Sequence, residues 1–228
     1  MVDKKTNIKD APAPWTLTGQ VAYLFVHGPR TANELFNENP DPNRSPFRGG
    51  YGGLLLIRYR DSPVGPYDEL ILIPGYYQFG SQTYYRISQI YVSSEDSVVN
   101  GRRNWSVPKK LARFQWNDDN TFVRIFLPES QQPFCTIRVR PRFYCLPVNG
   151  RLVPTSFRTL LQQSLEQENV YLKTIPSATG WFRPIVQLLD FETDGKEIPS
   201  NEQLGLYTYG VGYEEFTLIF PEAEQILT

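Results

Sequence analysis

A chain of 228 residues with 40% hydrophobic and 21% charged side chains carries enough apolar surface for one large folded domain, which excludes a mainly disordered protein. Lys and Arg number 23 against 24 Asp and Glu, a formal charge of −1 that gives no general field for nucleic acid or an anionic membrane surface. No run approaches the roughly 20 apolar residues of a membrane helix. Met1–Asp10 holds charges without a hydrophobic stretch, so the chain reads as cytoplasmic, with no leader and no membrane partner.

In chain order, Met1–Pro14 reads as a flexible N-terminal arm ahead of a single domain spanning 15–228. Fourteen Tyr, 14 Phe and 4 Trp, with 16 Gly and 19 Pro, suit pleated strands broken by turns. The expected strands are Val21–Val26, Gly53–Tyr59, Glu69–Pro74, Tyr84–Val92, Thr121–Leu127, Phe134–Arg140, Val170–Ile175, Val186–Phe191 and Leu206–Ile219, the last bulged at Gly210 and Gly212. Asn37–Gly53 reads as a long loop anchored by Phe47 and Tyr51. Turn clusters stand at Asp61-Ser62-Pro63, Asn117–Asn120 and Val148-Asn149-Gly150. A short helix is expected from Pro108. A longer one is expected over Ser156–Glu168, where Phe157, Leu160, Leu161 and Leu165 share a face behind Thr155 or Ser156 as N-cap. The fold class predicted is mainly β (α+β), an antiparallel barrel-like sheet with one late helix.

His27, Cys135 and Cys145 are the whole supply of histidine and cysteine, too few and too scattered for a usual zinc site. No loop has the regular acidic spacing of a calcium site, so no metal is expected. His27 closes the apolar run Val21–Val26 and reads as a surface or turn residue rather than a triad base. The cysteines read as free buried thiols, although a pair between them stays open. Arg138, Arg140 and Arg142 alternate beside Phe143 and Tyr144, either a phosphate-contacting strip or a solvent-facing strand whose charges deter edge pairing. The neutral overall charge favours the strand, with no nucleic-acid partner.

The segment that carries chemistry is Gly101-Arg102-Arg103-Asn104-Trp105-Ser106-Val107-Pro108-Lys109-Lys110-Leu111-Ala112. Its adjacent lysines either open a surface helix or place one ammonium in an apolar pocket. In a pocket, lost hydration disfavours the charged form, the neighbouring cation acts in the same direction, and a free amine condenses with a ketone or aldehyde to a Schiff base.

Gly101-Arg102 and Pro108-Lys109-Lys110-Leu111, at this separation, resemble the signature of the acetoacetate decarboxylase superfamily. Val64-Gly65-Pro66-Tyr67-Asp68-Glu69, followed by Leu70–Ile73 and Pro74-Gly75, resembles that family's Tyr-x-Glu segment. The resemblance extends in overall order over residues 15 to 220, though only these two segments are specific. The Pro14-Trp15-Thr16-Leu17 opening and Gly101–Trp105 are most similar to the family's largely fungal, uncharacterised branch.

The resemblance implies that Lys109 forms the imine, that Lys110 tunes it as adjacent cation, and that Glu69 is an acid/base or orienting group. Arg102 either binds a carboxylate or pins its loop, and Trp105, Tyr84 and Tyr91 are substrate-binding candidates, with Tyr85 beside them. It also implies a small-molecule carbonyl substrate, a homo-oligomer and no cofactor, since the imine is the electron sink. Three departures stand out. Leu17–Val21 lacks the arginine that bacterial decarboxylases carry near the first strand. Leu54-Leu55-Leu56 replaces a further acidic residue, and Arg103 stands in place of a glutamate. The expected reaction is decarboxylation of a β-keto acid. The alternatives are aldol, dehydration or cyclisation chemistry on a larger polyketide-like substrate of secondary metabolism, and a non-catalytic small-molecule-binding barrel.

Overall fold

The computed structural model describes residues 7–29, 36, 45–142, 144–149 and 153–227. The strands are β1 (Trp15–Gly28), β2 (Phe47–Asp61), β3 (Tyr67–Ile73), β4 (Tyr76–Phe79), β5 (Gln82–Tyr85), β6 (Gln89–Val92), β7 (Lys109–Leu111), β8 (Arg113–Trp116), β9 (Phe122–Phe126), β10 (Cys135–Arg142), β11 (Leu146–Asn149), β12 (Leu160–Gln163), β13 (Val170–Thr174), β14 (Ser177–Thr193), β15 (Leu206–Phe220) and β16 (Glu224–Leu227). Helix α1 (Glu95–Trp105) lies between β6 and β7, and the one-turn α2 (Asn201–Leu204) precedes β15. Among the described residues no helix is long and apolar enough to cross a membrane.

The fold is mainly β and mostly antiparallel. β1 runs between β15 and β2, and β2 forks: its first residues pair with β4, while Gly53–Tyr59 pair with β3. One branch continues through β3 to β6 and then, in parallel, to β7. The other continues through β4, β5 and β12 to β13 and β16. The strand path ends at β8 and β16 without joining, so the sheet is open rather than a closed barrel.

Alternation of side chains along each strand sorts the core into two. Leu54, Leu56, Leu70, Leu72 and Tyr91 pack on one face with Val123, Ile125 and Ile137. Ile57, Tyr59, Tyr67, Ile71 and Ile90 pack on the other with Trp15, Trp105 and Val107. Register keeps the second set together: Tyr59 stands opposite Tyr67, Ile57 opposite Glu69, Leu55 opposite Ile71, and Ile90 opposite Lys109.

Several expectations are corrected. Ser156–Glu168 is not a helix: a single 3-10 turn, Thr155–Phe157, leads into β12, where Leu160, Leu161 and Gln162 are all buried. A strand covered on both faces between β5 and β13 needs consecutive buried residues, and that run mimics helical spacing. Phe157 and Leu165, counted on the expected apolar face, are exposed. Lys109–Leu111 is strand β7 rather than a helix begun at Pro108. The expected strand Tyr84–Val92 is two, with β5 on β4 and β6 on β3.

Of the loop Asn37–Gly53, residues 37–44 lie outside the described residues, and Phe47 onward is β2, with Phe47 buried and Tyr51 exposed. Of the arm, residues 1–6 lie outside the described residues. Residues 9–11 lie along α1, where the Lys9 amide donates to Asp96 at 3.0 Å and the Ala11 amide to Asn100 at 2.9 Å.

Candidate active site

β3 delivers the acidic partner. Tyr67, Glu69, Ile71 and Ile73 alternate onto one face of the strand and line a cavity of about 200 Å³. Across the ladder, Leu55, Ile57 and Tyr59 of β2 line the same space. The inward member of Leu54-Leu55-Leu56 is thus Leu55, so an aliphatic group stands where an acidic one was expected to be lost. Trp15 and Leu17 of β1 and Trp105 of α1 complete much of the apolar wall.

Lys109 enters this cavity from β7. Its residue surface is 5% exposed, and that of Glu69 is 3%. Lys109 Nζ donates to Glu69 Oε2 at 2.8 Å and to Ser97 Oγ at 2.9 Å. Tyr59 Oη donates to Glu69 Oε1 at 3.2 Å. The Tyr67 and Trp15 rings lie 5.3 and 5.8 Å from the amine. Burial first, then the Glu69 charge, pushes both the Tyr59 and the Tyr67 phenols well above 10. Both therefore remain donors around the carboxylate. A buried amine and carboxylate in contact can pass a proton between them, and the amine faces space that accepts a small molecule.

The Gly-Arg element acquires a physical reason here. Ser94 caps α1 by accepting from the Ser97 amide, and the helix ends at Ser106, which takes a left-handed conformation with φ 52°. A Cβ on Gly101 would stand 2.7 Å from Cδ and Cε of Lys109, so the glycine makes the channel for the lysine stem. Arg102 Nε donates to the Lys109 carbonyl at 2.9 Å, so Arg102 pins β7 rather than facing the cavity.

Three expected site residues stand elsewhere. Lys110 follows Lys109 on a strand and points to the opposite face; half-exposed, it pairs with Glu197 at 3.3 Å, outside the residues that line the cavity. Tyr91 is fully buried in the other core and donates to Glu197 Oε2 at 2.6 Å. Tyr84 lies outside the cavity and donates to Gln82, while its neighbour Tyr85 lines the cavity. Trp105 does line it, its Nε1 donating to the Pro221 carbonyl at 2.7 Å.

Sequence reasoning did not single out Tyr59, Ser97 or Arg158, and it quoted Tyr67 only as part of a motif. Tyr67 is two residues before Glu69, and that spacing already placed it on the same strand face. Arg158 lines the cavity from beyond the 3-10 turn, its Nη1 donating to the Pro176 carbonyl at 3.0 Å and its Nε to that of Val153 at 3.2 Å. Among the described residues no group of three or more His, Cys, Asp or Glu gathers as a metal site. Both cysteines are free, Cys135 buried and Cys145 partly so. Arg138, Arg140 and Arg142 share the exposed face of β10.

An open, mostly antiparallel sheet with a buried lysine–glutamate pair facing an apolar cavity is the class that fold and site define. The family model for acetoacetate decarboxylase (ADC) matches residues 45–203, and the chain belongs to that family. The fold is similar to that of acetoacetate decarboxylase from Legionella pneumophila, with TM-score 0.66 and 13% identity over 94% of this chain and 88% of that one. It is similar too to the enduracididine biosynthesis enzyme MppR with HEPES buffer bound, with TM-score 0.64 and 11% identity over 96% and 89%. MppR complexed with pyruvate gives TM-score 0.61, at 11% identity over 97% and 93%. In sequence, the chain is 29% identical to Protein NEOXANTHIN-DEFICIENT 1 of Arabidopsis thaliana over 118 residues, 50% of this chain and 41% of that protein. The chain thus spans less than half the length of that relative.

Proposed function

We propose that the protein is a lyase-type enzyme in which Lys109 forms an imine with a keto acid, most simply a β-keto acid that it decarboxylates. The observation that carries this reading is the Lys109 amine, buried, 2.8 Å from Glu69 and facing an apolar cavity.

Glu69 takes a proton from the Lys109 ammonium, and the freed amine attacks the substrate carbonyl carbon. The carbinolamine loses water, with the proton returned from Glu69, to give a protonated imine. The bond to the carboxylate then breaks, carbon dioxide leaves and the electron pair moves into the imine as an enamine. Protonation at carbon and hydrolysis release the ketone and restore the amine. Arg158, held by two backbone carbonyls, is the cationic contact for the substrate carboxylate in this scheme, taking the role of the arginine that β1 lacks.

A second reading, aldol or dehydration chemistry through the same enamine, draws support from the fold likeness to MppR in its pyruvate complex and from the largely aliphatic wall. A homo-oligomer in the cytoplasm belongs to the same proposal.

Borohydride reduction in the presence of acetoacetate or pyruvate is expected to fix mass on the peptide containing Lys109, and Lys109→Ala to abolish it with the fold retained. Carbon dioxide release from the β-keto acid separates decarboxylation from the aldol reading. Absence of labelling with every keto acid tried would leave a binding protein.

A further inference from the structure

Arg86 is a buried charge that this chemistry does not use. It lies between β5 and β6, flanked by Tyr85 and Ile87, which line the catalytic cavity. Its own side chain lines a second cleft, about 450 Å³, between Ile87–Ser88, Ser106, Pro108 and the turn 164–168. Arg86 is 9% exposed, its guanidinium lies 4.4 Å from the Tyr77 ring centroid, and Nη2 donates to Ser45 Oγ at 2.6 Å.

Among the described residues, Nε of Arg86 has no hydrogen-bond partner and no carboxylate pairs with this guanidinium. Gln162 of β12, 5% exposed, lines the same cleft with Nε2 equally unpaired. The Tyr171 hydroxyl, on a fully buried residue of β13, is also without a hydrogen-bond partner among the described residues. Glu166 and Glu168 stand on the rim, exposed. A guanidinium keeps its charge, and a buried charge or donor without a partner is strongly unfavourable, so a native fold that keeps such donors together marks a missing acceptor. The two unpaired groups that line the cleft, a guanidinium Nε–H and an amide NH₂, both donate and so match an oxyanion. The planar guanidinium edge suits carboxylate or phosphate oxygens.

We propose that this cleft is a second ligand site, separate from the Lys109 cavity, that binds a small-molecule oxyanion, carboxylate or phosphate, on Arg86 and Gln162. The two cavities share Ile87 in their walls, and Pro108 of the second directly precedes Lys109 in the chain.

Calorimetric titration of the full chain with inorganic phosphate and, separately, acetate, at constant ionic strength in chloride, tests it. Saturable binding of at least one is expected, the preferred anion identifying the ligand as phosphate- or carboxylate-bearing. Arg86→Met is expected to weaken that binding about tenfold or more, as loss of a charged hydrogen bond does, and Gln162→Leu to weaken it less. The Gln162 variant leaves the guanidinium in place and keeps the test decisive if the Arg86 variant folds poorly. Borohydride labelling of Lys109 in both variants is read separately and is expected to persist. The proposal is overturned if neither anion binds, or if binding is unchanged in both variants. It is equally overturned if wild type binds no anion while Arg86→Met alters sedimentation, which would assign the orphan donors to a carboxylate of a second copy.

Discussion

At the scale of single residues, space and charge around Lys109 separate activity from stability. Gly101→Ala places a methyl 2.7 Å from the far carbons of the Lys109 stem, a flexible chain that gives way more readily than backbone would. Within α1 the same change gains up to about 1 kcal/mol of helix propensity. The variant is therefore expected to hold or raise its melting temperature while borohydride labelling slows, as the amine is pushed off Glu69. A loss of both together would mean that the glycine serves packing alone. Glu69→Gln keeps the shape of the site and removes the base of the proposed decarboxylation; on that proposal turnover is expected to drop about a hundredfold to ten-thousandfold, measured as carbon dioxide release. At this scale the pairing of Lys109 with Glu69 was readable because two short motifs resemble a family's. The positions of Lys110 and Tyr91 outside the cavity have one cause: neighbours on a strand face opposite ways, whereas the sequence suggests a helix from Pro108 and one long strand over Tyr84–Val92.

At the scale of elements, α1 escaped detection because its buried residues are Ser97, Asn100, Gly101 and Trp105, three of them small or polar. Hydrophobic periodicity cannot reveal a helix whose inner face is built to hold a lysine and an N-terminal segment through hydrogen bonds. The start was nonetheless written in its cap: Ser94, with Glu95 and Asp96 in the first turn and Arg102 and Arg103 in the last. β12 misled in the opposite direction, since burial on both faces puts Leu160 and Leu161 side by side. The long central strands were legible because alternation or continuous aliphatic runs survive in them. Ser94→Ala is expected to lower stability by about 1 kcal/mol. It also frays the turn bearing Ser97, whose hydroxyl accepts from the Lys109 amine. Denaturant midpoints check the first effect and amide exchange at Ser97 and Val98 the second; unchanged exchange there would count against the coupling.

At the scale of the whole molecule, four tyrosines, Tyr23, Tyr59, Tyr67 and Tyr85, line the cavity that Lys109 enters, and folding withholds all four from ionisation. Burial, with Tyr76 as a lesser cause, pushes Tyr23 up to about 12, while Tyr59 and Tyr67 rise well above 10 through burial and the Glu69 carboxylate. Tyr85 rises through burial and its hydrogen bond to Tyr76. A phenol whose folded pKa exceeds its unfolded one contributes stability that is fully present below pH 10. That contribution is lost as pH climbs toward the folded value, because only the unfolded chain releases the proton. Above pH 10 each such phenol removes about 1.4 kcal/mol per pH unit. The fully enclosed Tyr59 and Tyr67 together remove about 3 kcal/mol per unit, against a total stability on the order of 5–15 kcal/mol. Alkaline titration followed at 295 nm is therefore expected to show an early phase from tyrosines outside the cavity, in the range of a free phenol. A later, cooperative phase should coincide with loss of the far-ultraviolet β signal as the cavity opens. Replacing Tyr59 by Phe removes one coupled phenol and is expected to move that second phase to higher pH. Its failure to move would show that the cavity tyrosines are not what limits the fold in alkali.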